Sequence, residues 1–220
     1  MNIKIGINTN KNFFKFSLPI LIPSLIDAGI LKDDIHIFNA GYEEYCYELI
    51  DGMHWHFLDH NSIDYNSMVT ICEKKIEAEY WFLIHDTCKV GLKFKELLYN
   101  IPQEKPEKIA LKSCPSMNIG TYKYTYLLSL KEQIMKVKNN NYSEESLNHW
   151  KQWGVPNEDY ILWMHSPQPA IYNGNPNWIV IDYDNWYGST TVRRTEYYPS
   201  LDLYKNKSNW GQTTEMIKKI

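Results

Sequence analysis

The chain reads as a single α/β domain, with a mostly parallel central sheet flanked by helices and a C-terminal portion closing over one edge. Three observations predict it. Tyr80-Trp81-Phe82-Leu83-Ile84 is an apolar run rich in aromatic and branched residues, too short for a helix, that stops abruptly at His85-Asp86-Thr87; this is the pattern of a central strand covered on both faces. Ile3, Ile5 and Ile7 alternate with Lys4, Gly6 and Asn8, the period of a strand. Strand-like and helix-like segments then alternate along the chain, as a parallel sheet with crossover helices requires.

The first strand runs into Asn8-Thr9-Asn10-Lys11, a loop of amide, hydroxyl and ammonium donors. Pro19 and Pro23 predict a helix that starts at Ser17 with a kink or begins late, near Pro23, and stops at Gly29. Asp34 to Gly41 repeats the strand pattern and ends on Asn39 and Gly41, where backbone can approach a ligand closely. Met53 to Leu58 is another strand, followed by Asn61-Ser62-Ile63-Asp64-Tyr65-Asn66 and a helix with Met68, Ile71, Cys72 and Ile76 on one face. Three strand-then-helix units therefore precede the central strand.

After it come a helix from Lys89 to Tyr99, a short strand from Lys108 to Leu111, a helix from Tyr122 to Val137, and a further helix between Ser143 and Gly154. Trp178 to Trp186 reads as a strand with Asp182 and Asp184 on one face. The tail carries Arg193, Arg194, Lys205 and Lys207. The division expected is a first half of about residues 1–112 and an acceptor half with a closing tail over about 113–220.

With 220 residues the chain can bury a proper core. A net charge of −3 gives no general affinity for nucleic acid or an anionic membrane surface. No run is long enough to span a bilayer, and Met1-Asn2-Ile3-Lys4 leads straight into a strand pattern with no signal-peptide features. Cys46, Cys72, Cys88 and Cys114 are scattered and read as free thiols, which favours the cytoplasm.

In open α/β sheets, ligands sit outside the carboxyl ends of the strands. His85, Asp86 and Thr87 are thus expected at a crevice, where a buried carboxylate points to a divalent cation. Capping of the following helix by Asp86 and Thr87 is the equally available alternative. His54 and His56 share a strand face and with His60 raise a zinc site, which no suitably spaced Glu or Cys supports.

Taken together, the loops Asn8-Thr9-Asn10-Lys11, Asp64-Tyr65-Asn66 and His85-Asp86-Thr87 resemble those of the GT-A, Rossmann-like class of nucleotide-sugar glycosyltransferases, most closely the small domains with which large algal DNA viruses glycosylate capsid protein. The resemblance spans about Met1 to Gly211. It implies transfer of a sugar from a nucleotide diphosphate sugar, a uridine one being favoured, to a glycan or glycoprotein acceptor. In that reading Thr9, Asn10, Lys11, Asn39, Asp64, Asn66, Asn118, Arg194, Lys205, Lys207 and Asn209 hold the donor, and Gly120 lines the sugar pocket. Asp86 and His85 hold Mn2+ or Mg2+. The acidic motif of the class carries two aspartates flanking one residue, whereas Ile84-His85-Asp86 carries one.

Transfer needs charge stabilisation at the departing diphosphate and, in an inverting enzyme, a base for the acceptor hydroxyl. Asp182 and Asp184 are the first candidates for that base and His165 the next; Asp182 to Asn185 is also a turn signal. Two other readings stand beside this one: a noncatalytic glycan-binding module on the same fold, and a sugar nucleotidyltransferase, which would want a glycine-rich first loop. No Gly-x-Gly-x-x-Gly follows the first strand, which disfavours a dehydrogenase or methyltransferase.

Overall fold

The computed structural model describes residues 2–100, 107–110, 119–141, 143, 145, 178–180, 185–190 and 193–207. Its main sheet has eight strands in the order β3-β4-β2-β1-β5-β8-β7-β9. These are β1 (Ile3–Asn10), β2 (Ile35–Ala40), β3 (Cys46–Ile50), β4 (Met53–Leu58), β5 (Tyr80–His85), β7 (Lys108–Ala110), β8 (Gly120–Lys123) and β9 (Trp178–Val180). The four central strands, β4, β2, β1 and β5, are parallel. Outside them β3 and β8 run antiparallel to their neighbours β4 and β5. The sheet is thus a mixed α/β architecture around a parallel centre.

Period-two alternation sends successive residues of β1 and β5 to opposite faces. Ile3, Ile5, Ile7, Tyr80, Phe82 and Ile84 pack with Leu18, Leu21 and Leu25 of α1 (Phe14–Asp27) and with Phe94 and Leu98 of α3 (Phe94–Tyr99). On the other face Phe38, Trp81 and Leu83 pack with Met68, Val69, Ile71 and Cys72 of α2 (Asn66–Lys74) and with α4 (Tyr124–Ser129) and α5 (Lys131–Lys136). Burial on both faces is why β5 reads as an unbroken apolar run.

Helix α1 begins at Phe14, earlier than its prolines suggest, and takes both Pro19 and Pro23 inside. Their missing amides leave the carbonyls of Lys15 and Pro19 without the usual donor. The buried leucine stripe, with Ser17 and Ser24 turned inward, holds the helix against that loss.

Of four further departures, three have a common cause, namely pairing partners far away in sequence. Between β2 and β4 there is no helix; β3 forms a hairpin with β4 through Asp51-Gly52, both at positive φ (51° and 77°). Only two of the three expected strand-then-helix units therefore precede β5. The segment after Asp86 is not yet helical, because β6 (Cys88–Val90) comes first and α3 starts only at Phe94. Tyr122 lies in β8 rather than in a helix, and two short helices follow it in place of one long one. The basic tail is sheet: β10 (Asn185–Thr190), β11 (Arg193–Tyr198) and β12 (Leu203–Lys207) pair in order with β6. Strand β6 thereby couples this second sheet to the chain just beyond Asp86.

Candidate functional site

Strands β2 and β4 lie on one side of β1, and β5 lies on the other. Strand order therefore reverses at the β1/β5 pair, and crossover helices leave on opposite faces. The carboxyl ends of those two strands border the crevice where α/β domains place ligands. Asn8 pairs in register with His85, and Asp86 N donates to Asn8 O at 3.1 Å.

On the α1 face, Asp86 is buried and its Oδ2 accepts from Thr9 Oγ1 at 2.6 Å and from Ser17 Oγ at 2.7 Å. Burial raises its carboxyl above the ordinary value, and the two hydroxyls oppose the shift. Asp86 does not cap α3, whose first turn follows Lys93 with no side-chain cap. Thr87 Oγ1 instead donates to Asn206 O of β12 at 3.3 Å. The sheet alternation also turns His85 and Asp86 to opposite faces. Oδ2 of Asp86 is held by two hydroxyls, and among the described residues no three His, Cys, Asp or Glu side chains converge as a cation site.

On the α2 face, Asn8 is engaged at both amide atoms: Nδ2 donates to Asp64 O at 2.9 Å and Oδ1 accepts from Ser67 N at 2.7 Å, holding the first turn of α2. Asn66 is buried; its Oδ1 accepts from Ser62 N at 2.7 Å, and its Nδ2 is 3.5 Å from Thr9 O at the end of β1, so it ties the loop to the rim of the crevice. Asp64 lies in a 3-10 turn, Ile63–Tyr65, and its Oδ1 is 3.3 Å from His85 Nε2. Burial pushes the His85 imidazole down to about 4, with Lys205 adding to the shift and Asp64 opposing it.

His60 staples this loop from behind. Thr70 Oγ1 donates to Asn66 O at 2.8 Å, so it accepts from His60 Nε2–H at 3.1 Å. His60 Nδ1 is then the acceptor for Ser62 Oγ–H at 3.1 Å, and that oxygen accepts from Asn139 N. One tautomer satisfies the whole chain.

On the β2 side, Asn39 is fully buried; its Nδ2 donates to Tyr42 Oη at 3.0 Å while its Oδ1 has no partner among the described residues. Lys11 N bonds Ala40 O, and its exposed side chain crosses over Gly41. Asn10 Oδ1 accepts from Asn12 N, turning the loop toward α1.

From the second sheet, Lys205 is buried, with Cys88 and Glu196 as its register partners. Arg194 stands opposite Lys207 in the β11/β12 ladder. The structure thus gathers Thr9, Asp64, His85, Asp86 and Lys205 around the crevice, with Lys11 and Asn39 at its β2 side. Asn118, His165, Asp182, Asp184 and Asn209 lie outside the described residues.

Sequence reading missed Ser17, an ordinary helix serine until the fold sets it against Asp86. The histidines on β2 and β4 are structural. His54 meets Tyr47 Oη at 2.7 Å and Asp33 Oδ1 at 3.2 Å. His56 meets Tyr45 Oη and His36 Nδ1, each at 3.1 Å. Burial pushes His36 down to about 2 and His56 to about 4, so both are neutral buried groups, and the zinc arrangement is not formed.

No protein-family model matches the chain, and no relative was found among curated proteins. Among the described residues no helix is long and apolar enough to cross a membrane.

Proposed function

We propose that the chain is a GT-A-type glycosyltransferase that moves a sugar from a nucleotide diphosphate sugar, preferentially a uridine one, to a hydroxyl of a glycan or glycoprotein. The observation that carries this reading is the crevice at the β1/β5 strand-order reversal, where Asp64 and His85 approach each other beside the donor-rich loop Asn8–Lys11 and under the β6/β12 pairing. The mixed sheet, with β8 antiparallel between β5 and β7, is compatible with such a domain.

Breaking the bond from the anomeric carbon to phosphate places negative charge on the leaving diphosphate, and fixed cations beside it stabilise that state. Lys11 stands exposed at the β2 side of the crevice, and Arg194 and Lys207 stand together on the adjoining ladder. Covering the donor would also exclude water and suppress hydrolysis.

The test is a thermal-shift titration against nucleotides and nucleotide sugars, each with and without manganese, followed by a transfer assay with the donor that binds. A ligand at 100 times its Kd stabilises the native state by about 2.7 kcal/mol, so one diphosphate sugar should raise the melting temperature selectively. Dependence of that shift on manganese would show a cation held by donor phosphates together with protein groups. Stabilisation by free glycans and by no nucleotide would overturn the transferase reading in favour of a glycan-binding module.

A further inference from the structure

Most polar groups at the crevice are consumed by the framework: both amide atoms of Asn8, Oδ1 of Asn66, and Oδ2 of Asp86 with the hydroxyls of Thr9 and Ser17. His85 differs. Its Nε2 is buried and stands 3.3 Å from Asp64 Oδ1 without an aligned hydrogen bond. Catalytic hydrogen bonds are often long and misaligned before ligand binds and tighten in the complex.

Asp64 is well placed to complete the contact. Its carbonyl is held by Asn8 Nδ2, and the turn carrying it is fixed by the Ser62–Asn66 and His60 bonds behind. Its side chain is about one-third exposed (33%), so it can swing the small distance needed. A carboxylate at Nε2 selects the tautomer protonated there and leaves a lone pair on Nδ1. His85 Nδ1 makes no hydrogen bond among the described residues.

We propose that Asp64 and His85 form an orienting-acid and general-base dyad, with His85 Nδ1 taking the proton of the acceptor hydroxyl; this rests on the glycosyltransferase reading above. As the acceptor oxygen attacks the anomeric carbon, its O–H bond breaks and the proton passes to Nδ1. The new carbon–oxygen bond forms while the bond to phosphate breaks, and its electron pair leaves with the nucleoside diphosphate. Attack from the side opposite the leaving group inverts the anomeric centre. The imidazolium then returns its proton to water.

Two charged groups bear on the imidazole: Asp64 from the turn before α2 and Lys205 from β12.

The test compares wild type, His85→Gln, His85→Gly and Asp64→Asn, with donor binding and the urea midpoint measured beside transfer. His85→Gln should lower kcat by about 100-fold or more, leave nucleotide-sugar binding within about twofold, and remove the acidic limb of the pH profile. Added imidazole should restore transfer to His85→Gly, which a merely structural histidine would not show. Asp64→Asn should lower kcat while shifting the His85 tautomer in nitrogen-15 imidazole spectra. The product of the wild type should be inverted. Retained configuration, or a His85→Gln enzyme with wild-type kcat and pH profile, overturns the dyad and leaves the transferase reading standing. A wild type that neither binds nor turns over any nucleotide sugar overturns both.

Discussion

Ser17 Oγ reaches Asp86 Oδ2 at 2.7 Å across the α1–sheet interface. Together with the 2.6 Å bond from Thr9 Oγ1, this contact fastens α1 to the ends of β1 and β5. The carboxylate is therefore a structural tie before it is anything else. Asp86→Ala strands the buried Thr9 hydroxyl and leaves Ser17 Oγ only its longer 3.2 Å bond to Phe13 O, and is expected to destabilise the free protein by about 1–3 kcal/mol, the penalty for one buried group left without a partner. Urea denaturation without ligand or metal reads it directly. A loss below about 0.5 kcal/mol, in the range of ordinary surface changes, would show that the tie bears no weight.

That tie also marks where the sequence stops being legible. Tyr80 to Ile84 could be recognised as a central strand because every side chain in it is buried, and Ile3, Ile5 and Ile7 because they alternate cleanly. The crevice at Asp86 followed from where such a strand ends. Ser17 carries no signal of its partner 69 residues away. The same holds for β6, three residues long, whose pairing with Leu203 to Lys205 is set more than a hundred residues later. Strand β3 is exposed throughout, so it lacks the apolar alternation that reveals a strand; Asp51-Gly52 was the one local clue.

The buried imidazoles set a sign for the pH dependence of stability. His56, His60 and His85 are pushed down to about 4 and His36 to about 2, in each case chiefly by burial. Below pH ~6.5, the ordinary histidine value, the unfolded chain takes up protons that the native state refuses. Stability is thus full above that value and falls as pH drops toward 4, by up to about 1.4 kcal/mol per pH unit for each fully protonating histidine. Asp86, raised by burial, acts in the opposite sense but releases only one proton. Urea midpoints from pH 7 to 4.5 should fall steeply, and His60→Gln, which removes one such group, should flatten the slope. A midpoint that holds constant to pH 4.5 would contradict the buried neutral state of these rings.

Within the second sheet, the turn between β11 and β12 is clipped to the end of β6 at Gly91. Its N–H donates to Asp202 O at 2.7 Å, and a β-carbon there would fall 2.1 to 2.3 Å from the three atoms of the Asp202 carboxyl group. That carboxylate is not free to retreat, because Lys93 N donates to Oδ2 at 3.1 Å and Tyr197 Oη to Oδ1 at 3.2 Å. Asp202 itself sits at φ 49°, a turn conformation the two bonds help to maintain. Gly91→Ala must therefore break the clip, at about 1–3 kcal/mol for groups left unpaired, and loosen β12 from β6. Hydrogen exchange should quicken across Cys88–Val90 and Leu203–Lys207 while β1 and β2 keep their protection. Because Lys205 pairs with Cys88 and Asn206 with Thr87 along the same ladder, the variant should also weaken any ligand bound in the crevice more than its loss of global stability explains. Unchanged exchange in both segments would show that the β6/β12 ladder holds without Asp202.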